Sequence, residues 1–442
     1  MFSKIIFRIQ DKLKYLYENS LFLQYIDTFI MFSIIAVFLT STVLSSDYIG
    51  FIALVTIFLT VVKILTKQGE KFTFNNFEIF LVAYFMLVVV SLAGSTLFEL
   101  SLKGFLKTLI YIGFYFSTAH YLKNNLSKLP WLIFTIALCM SFESITALFQ
   151  NCAHVEAIST WQDTSGLNPE QVMTRVYGTL KPFNPNLLGG YFVAGIPSLF
   201  GLCAYYVISN KYKRALISAV FSLLAVLALF ATGCRGAYLA LLLIFICTFI
   251  ISAKFFWKTY KKVYSAIIAT SISIFIFALG FITSLRTRFL SIFAMRNDSS
   301  NSFRFNVYQS SLEMFKDNWL LGIGVGNRNF REIYGLYMKT GFDALSAYNI
   351  FLEIAVESGI FALIAFLGFL FIYIKDAVKI IFNSIEAEKT IFVSVALVSV
   401  LALMFHGFVD TVFFRPQIQF IFWTMVAIVS AYLNKKADNL NS

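Results

Sequence analysis

The chain has 442 residues, of which 59% are hydrophobic and only 13% are charged. A soluble globular protein neither exposes nor buries that much apolar surface, so the composition excludes the soluble classes. The net charge of +12 does not indicate nucleic-acid binding, because most Lys and Arg residues fall in short segments between apolar runs. The sequence therefore predicts an all-α, polytopic integral membrane protein that lies in the lipid bilayer.

The N-terminal 25 residues are too charged for a cleavable signal peptide. Apolar residues recur there at helical spacing, opposite a basic face. This pattern predicts an interfacial helix on the cytoplasmic leaflet over residues 1–25.

About twelve apolar runs of membrane-spanning length follow. They cover residues 26–44, 49–66, 77–97, 102–121, 131–149, 185–208, 215–232, 235–252, 263–285, 349–374, 390–409 and 417–433. Two segments between them, 150–184 and 286–348, are too long to be simple connections. The second lies between spans 9 and 10. It carries aromatic residues at helical spacing on both sides of a glycine-rich turn, which predicts a helical hairpin on the outer surface.

The distribution of Lys and Arg predicts the orientation of the spans. With the N-terminus inside, about twenty basic residues fall in cytoplasmic segments. The short outer loops then keep only Arg175, Lys181, Arg235 and Arg415. By the positive-inside rule, both termini are predicted to be cytoplasmic.

Three arginines far apart in sequence, Arg175, Arg235 and Arg304, fall at the predicted outer boundary. A guanidinium group holds a phosphate through two parallel hydrogen bonds, and a helix N-terminus adds positive charge. The three arginines therefore predict a site for an anionic lipid head group such as a diphosphate. For Arg235 the alternative is an interfacial arginine that reaches to water. The Asn-Pro-Asn sequence that follows Arg175 is first a helix-start signal.

Acidic residues within the spans are further candidates. Asn349, Glu353 and Glu357 are four residues apart, so they share one helix face, and carboxylates in a membrane are costly unless they have a function or a partner. The alternative is an ion pair with a neighbouring helix. Asp410 is followed by Arg415 at a tight turn, which favours a structural ion pair. Glu143, in the fifth span, needs a partner that the sequence does not identify.

The sequence predicts no metal and no cofactor. The five cysteines and three histidines show none of the spacings typical of metal sites. A disulfide between Cys152 and Cys234, which both fall near the outer face, stays open. The GIGVGN turn (322–327) lacks a preceding strand and a following GK[ST], so it is not a nucleotide loop. Flexibility or close backbone packing is the better explanation of its glycines.

Several of these stretches together resemble the O-antigen ligase and polymerase superfamily of bacterial inner-membrane proteins. They are TGCRGAYL (232–239), RFNVY (304–308), DNWLLGIGVGN (317–327) and AYNIFLEIAVESGI (347–360). Within the superfamily, TRVYGTL, FNPNLLGGYF, LSAYNIFLEIAVESG and HGFVDTVFFRPQ resemble the branch named for bicarbonate transport.

The resemblance implies a GT-C-like O-antigen ligase architecture, with a large periplasmic helical loop between spans 9 and 10. It divides the chain into residues 1–25 (interfacial helix), 26–183 (N-terminal spans and first outer loop), 184–374 (ligase-like core with loop 286–348) and 375–442 (C-terminal spans).

The resemblance also implies a metal-independent glycosyltransferase. Such enzymes transfer or polymerise a glycan from an undecaprenyl-diphosphate carrier to a sugar hydroxyl at the periplasmic face. The implied partners are a polyprenyl-diphosphate-linked glycan and a glycan or lipid acceptor. Arg235 and Arg304 match the two arginine positions of the family, and Arg175 is a third candidate for the diphosphate.

One departure from the family concerns the acceptor hydroxyl. Ligases carry Ala-His-Asn after the large loop, where this chain has Ala347-Tyr348-Asn349. A phenol with a pKa of about 10 is a poor base at neutral pH. The candidate catalytic residues are therefore Tyr348 itself and the carboxylates of Glu353 and Asp410. Two other functions stay open: transport of a small anion such as bicarbonate, and binding of a lipid-linked glycan without catalysis.

Overall fold

Long apolar helices make up most of the structure, a computed structural model that describes residues 2–70, 73–153, 175–293 and 298–441. These residues contain sixteen α-helices and no β-strand. The first eight are α1 (Phe2–Asn19), α2 (Leu21–Gln24), α3 (Ile26–Ser41), α4 (Ser46–Thr66), α5 (Asn76–Gly94), α6 (Phe98–Asn124), α7 (Leu129–Cys152) and α8 (Pro185–Ile208). The others are α9 (Tyr212–Ala231), α10 (Arg235–Phe281), α11 (Thr283–Leu290), α12 (Ser299–Asp317), α13 (Asn327–Tyr334), α14 (Ile350–Asn383), α15 (Ala387–His406) and α16 (Pro416–Asn441). The prediction of an all-α polytopic membrane protein is confirmed.

Each predicted span corresponds to a helix. Within the described part of the chain, nine helices are long and apolar enough to cross a membrane. These nine helices are fewer than the twelve predicted spans for three reasons. Helix α3 is a short apolar helix, α6 carries charged residues in its first half, and α10 contains two predicted spans in one 47-residue helix. The first predicted outer segment is described only in part, because residues 154–174 lie outside the described residues.

Helix α10 folds back on itself near Tyr260, where the backbone leaves helical geometry (φ −123°, ψ 33°). The hydroxyl of Tyr264 lies 2.9 Å from Ser252 Oγ and donates to the carbonyl of Phe249. Fifteen residues of straight helix would separate Phe249 and Tyr264 by about 22 Å. The contact therefore requires a reversal, and α10 is a pair of antiparallel spans, as the sequence predicts.

One end of the bundle contains the first residues of α8, α10 and α14 and the last residues of α7, α9 and α15. We call it the site end. It corresponds to the predicted outer face. Helix α8 is almost wholly buried among α7, α9, α15 and α16, and its glycines allow neighbouring helices to approach its backbone closely. A Cβ on Gly190 would lie 3.1 Å from Ile418 Cδ1, and one on Gly189 would lie 2.8 Å from Cys234 Cβ. Small residues at such interfaces let membrane helices touch.

Helices α12 and α13, together with the turn between them, dock on the bundle through the glycine-rich turn 322–327. The amide of Gly324 donates to the carbonyl of Glu357 (2.9 Å), and Gly326 donates to the Glu357 carboxylate (2.8 Å). Helix α14 is interrupted here, at Gly359 (φ +81°), and a Cβ at that position would overlap the carbonyl of Leu320. Close backbone packing therefore explains these glycines.

At the opposite end of the bundle, buried side chains of opposite charge pair with each other. Lys63 is fully buried and pairs with Asp27 (2.7 Å) and Glu70 (3.4 Å), and His120 lies 3.1 Å from Glu70. Gln10 of α1 donates to the carbonyl of Glu70, so this network also holds the N-terminal helix in place.

We predict that Gly104→Ala destabilises the protein by about 1–3 kcal/mol, because the added methyl group overpacks a filled contact. A Cβ on Gly104 would lie 2.7 Å from Gly326 Cα and would overlap the carbonyl of Val325. Thermal unfolding of the purified chain in detergent measures the change.

Gly50→Ala is the matched control, since a methyl group added to this helical glycine would have no other atom within 4 Å. It should leave stability unchanged or raise it by about 0.5–1 kcal/mol. Equal melting temperatures for the two variants would contradict the close docking of the glycine-rich turn.

Candidate functional site

A cavity of about 170 Å³ opens at the site end, between the start of α10 and the first turns of α12. It is lined by Arg235, Gly236, Leu239, Ile292, Asn301, Arg304, Phe305, Tyr308 and Val409. Two of the three arginines predicted from sequence, Arg235 and Arg304, thus face one common space. They reach it from two helices that are far apart along the chain.

Arg235 is the first residue of α10, and the turn before it explains its position. Gly233 has φ +62°, a conformation that suits glycine, and Thr232 Oγ1 accepts from the amide of Cys234. The Arg235 guanidinium then donates to Asp298 Oδ1 (2.9 Å) and to Ser291 Oγ (3.1 Å). Arg235 therefore ties the start of α10 to the start of α12.

Asp298 stays ionised in this pair. It caps α12 by accepting from the amide of Asn301 (2.9 Å). Partial burial raises the pKa of its carboxyl, but the hydrogen bond from Arg235 and the cap together bring that pKa below its usual value. An anionic ligand that binds Arg235 therefore has to compete with the Asp298 carboxylate.

Arg304 lies in the second turn of α12, and its Nη2 is 3.7 Å from Asp410 Oδ2. Asp410 is buried, and its other oxygen accepts from the amides of Thr411 (2.7 Å) and Val412 (3.1 Å). The sequence predicted a partner for Asp410 in Arg415, but the ion pair in the structure is with Arg304. Among the described residues, Oδ2 of Asp410 has no hydrogen-bond partner.

Tyr348 lies beneath Arg304, whose guanidinium carbon is 5.8 Å from the ring centroid. Its backbone is left-handed (φ +51°), and its carbonyl accepts from the hydroxyl of Tyr308 (3.2 Å). Burial, with the nearby negative charge of Asp410, raises the pKa of the Tyr348 phenol to about 12. The phenol therefore stays protonated at neutral pH, so almost no phenolate is available to accept a proton.

Arg175 lies beside this group but outside the lining of the cavity described above. Its Nε donates to the carbonyl of Thr232 (2.8 Å), and its Nη2 donates to Asn186 Oδ1 (2.5 Å). Both acceptors are neutral. Burial, followed by the positive charges of Arg288 and Arg235, lowers the pKa of Arg175 to about 10, so the side chain is charged at neutral pH.

Glu143 has its partner in the segment that carries Arg175. Its carboxylate accepts from the amide of Thr179 (3.0 Å) and from the hydroxyl of the same residue. Gln150 adds a reciprocal pair of hydrogen bonds with the backbone of Gly178. The two side chains of α7 therefore hold the segment before α8 and position Arg175.

The comparison with known protein families matches a region that supplies all the lining residues of this cavity except Val409. Residues 196–367 match the O-antigen ligase family model. The chain carries an O-antigen ligase domain. The domain includes Arg235, Arg304, Tyr348 and Glu353, whereas Arg175 and Asp410 lie outside it. A search of the curated proteins gave no match to the chain.

The polar face of α14 in the ligase domain has structural partners. Asn349 caps the helix by accepting from the amides of Phe351 and Leu352. Glu353 accepts from the amide of Ala347 (3.1 Å), and Glu357 accepts from the amide of Gly326. The two carboxylates therefore accept hydrogen bonds from backbone amides before α14 and in the glycine-rich turn, in place of the ion pair with a neighbouring helix that was the alternative prediction.

Sequence reasoning missed several residues around the ligase-domain cavity. Asp298 and Asn301 belong to no motif that the sequence analysis used, and the partner of Asp298, Arg235, is distant in sequence. Tyr308 ends the RFNVY stretch, but its partner, the carbonyl of Tyr348, is 40 positions away. Cys234 and His406 lie within stretches that the resemblance includes, and the structure brings them to 3.6 Å of each other. No disulfide joins Cys152 to Cys234, so the possibility left open by the sequence is excluded in this structure.

We predict that Glu143→Ala loosens the segment that carries Arg175, because the amide of Thr179 loses its acceptor. An unpaired buried donor costs about 1–3 kcal/mol. Hydrogen exchange followed by mass spectrometry should show faster exchange across residues 175–183.

Glu99→Ala removes an exposed carboxylate at the same end of the bundle and serves as the control. It should leave exchange in that segment unchanged. Native-like protection in Glu143→Ala would mean that the segment is held by other contacts.

Proposed function

We propose that this protein transfers or polymerises a glycan from a polyprenyl-diphosphate carrier to a sugar hydroxyl at the predicted outer face of the membrane. The observation that carries the proposal is the cavity that Arg235 and Arg304 line together. The O-antigen ligase match supports it, because the matched residues include both arginines.

The charge around the cavity favours an anionic ligand. Arg175, Arg235, Arg288 and Arg304 act electrostatically on this region, and Asp298 and Asp410 are the carboxylates that pair with two of them. Positive charges thus exceed negative charges by two among these six groups. Burial, and then repulsion from Arg235, lowers the pKa of Arg288 as well. A diphosphate would relieve this repulsion and replace the carboxylates as the acceptor.

In the proposed reaction the oxygen of an acceptor hydroxyl attacks the anomeric carbon of the carrier-linked glycan, and the hydroxyl proton is released to water. The bond from that carbon to the diphosphate oxygen breaks, and the polyprenyl diphosphate leaves with the electron pair. Arg235 and Arg304 stabilise the charge that develops on the leaving diphosphate, and Arg175 adds to the local positive potential. The reaction requires no metal or nucleotide.

Three further candidates receive supporting roles in this proposal. Asp410 orients the Arg304 guanidinium, and the Tyr348 ring lies against its face. Glu353 fixes the backbone of Ala347, next to Tyr348. The raised pKa of Tyr348 and the engaged carboxylate of Glu353 make both residues poor acceptors for the hydroxyl proton.

Transport of a small anion has less support. A secondary transporter needs a site near the midplane that opens to each side in turn. The deeper carboxylates Glu143, Glu353 and Glu357 each accept hydrogen bonds from backbone amides, so they serve as structural acceptors. The arginines lie together at one end of the bundle, which favours a head group at the membrane boundary.

We predict that Arg235→Ala and Arg304→Ala each lower glycan transfer by about 100-fold or more, the loss typical when one electrostatic contact to a developing charge is removed. Membrane vesicles from cells that make the native lipid-linked glycan provide the substrate, and the attachment and length of the glycan product are measured.

Arg328→Ala is the control, because this arginine is exposed on α13 and away from the cavity lining. It should transfer glycan at the native rate. Native product in both cavity variants would count decisively against the proposal.

A further inference from the structure

A second cavity, of about 420 Å³, lies between α8, α10 and α15, and its lining shares no residue with that of the cavity at the site end. The volume falls within the range of about 300–1,000 Å³ that is typical of ligand sites. On α8 the lining extends from Pro197 to Ile208, and on α15 it extends from Ala387 to Val398. Eleven residues of helix rise by about 16 Å, so the second cavity is elongated along the helices.

The second cavity is closed near the middle of the bundle and open toward the end opposite the site end. Pro197 and Val398 lie at its inner end and are buried. Ile208 and Phe256, which line its outer end, are 45% and 46% exposed. Exposed apolar side chains that continue into a cavity are typical of a contact with a lipid or another apolar ligand. The opening lies at the boundary that the sequence predicts to be cytoplasmic.

The hydroxyl groups in the wall of the second cavity bond to their own helices. Ser394 Oγ donates to the carbonyl of Thr390 (2.6 Å), and Thr390 Oγ1 donates to the carbonyl of Glu386 (3.0 Å). Ser252 Oγ donates to the carbonyl of Thr248 (2.6 Å). Among the described residues, the lining includes no charged side chain. The second cavity therefore suits a hydrocarbon chain better than a polar ligand.

Small residues of α8 leave this space. Gly201, Ala204 and Ile208 are three or four residues apart, so they share one helix face. A Cβ on Gly201 would overlap Val395 of α15, which shows that the two helices touch at this level. Ala204 lines the second cavity and is exposed, so a larger side chain at this position would enter the cavity.

The chain segments at the open end of the second cavity are strongly basic. Three segments adjoin or include the lining residues there: 209–214, 254–262 and 386–389. They contain eight basic and two acidic residues, which leaves a net charge of +6. Lys and Arg near a membrane surface attract anionic lipids, and basic pockets between membrane helices bind anionic head groups.

Two of these lysines are placed to reach a lipid head group. Lys258 lies three residues beyond Phe255 on α10, so both share a helix face, and Lys211 lies three residues beyond Ile208. Both lysine side chains are exposed, whereas Lys254 donates to two carbonyls at the end of α14. An apolar cavity with ammonium groups next to its opening matches a lipid that combines a hydrocarbon chain with a negatively charged head group.

We propose that the second cavity binds one acyl chain of an anionic phospholipid from the predicted cytoplasmic leaflet, with the phosphate of the head group beside Lys211 and Lys258. The inference goes beyond the proposed function and does not depend on it, because the two cavities share no lining residue. A zwitterionic phospholipid has the same chains without the net negative charge, so it binds this site more weakly.

Native mass spectrometry of the purified chain in detergent measures the affinity for phosphatidylglycerol and for phosphatidylcholine with the same acyl chains. We expect phosphatidylglycerol to bind at least about tenfold more tightly, because each of the two lysines near the membrane surface contributes about fivefold. Equal affinities for the two lipids would overturn the assignment of an anionic ligand.

Ala204→Phe tests the cavity. The added ring occupies the space of the acyl chain, so the affinity for both lipids should fall by about tenfold or more, the loss expected when two or more CH₂ groups are no longer buried. Ala83→Phe is the matched control, since this alanine is exposed on α5 and outside the lining. It should bind both lipids with native affinity. Native affinity in Ala204→Phe as well would overturn the placement of the chain.

The double variant Lys211→Gln/Lys258→Gln tests the head-group contact and leaves the cavity intact. It should lose most of the preference for phosphatidylglycerol and keep native affinity for phosphatidylcholine. Lys12→Gln/Lys14→Gln removes the same charge from two exposed lysines of α1 and is the control, so it should keep the preference. An undiminished preference in Lys211→Gln/Lys258→Gln, or an equal loss in both double variants, would overturn the proposed head-group site.

Discussion

The hydrogen-bonded ion pair between Arg235 and Asp298 is the interaction on which the site depends. It joins residues 63 positions apart, one at the start of a membrane helix and the other at the cap of a loop helix. Because the pair fixes the start of α12 over the start of α10, it also brings Arg304 to the same cavity. A charge pair that is mostly withdrawn from water holds only with good geometry, and the additional donation to Ser291 supplies it.

The same constraint explains the buried carboxylates. In a low-dielectric environment each backbone N–H group outside a helix needs an acceptor. Glu143, Glu353 and Glu357 accept from amides of non-helical segments, and each of those segments ends beside the cavity or docks the large loop. These three carboxylates, which would be costly in lipid without partners, are therefore the acceptors for the non-helical backbone at the site end.

A positively charged cavity is the centre of the proposed chemistry. In that proposal its guanidinium groups stabilise the charge on the leaving diphosphate. Arg235 belongs to α10 and Arg304 to α12, so two helices that are far apart along the chain supply them.

The residue pattern alone predicts the helical membrane fold, because long apolar runs have few alternatives in lipid, and the family resemblance points to the two arginines of the cavity. It also marked the Asn184–Asn186 turn as a helix start, since capping is local. The partners of the buried polar groups follow only from the packing of the helices. They are Asp298 for Arg235, Arg304 for Asp410, Thr179 for Glu143 and Cys234 for His406. Such contacts join residues far apart in the chain. Hydropathy and residue spacing do not indicate which side chains meet when helices pack.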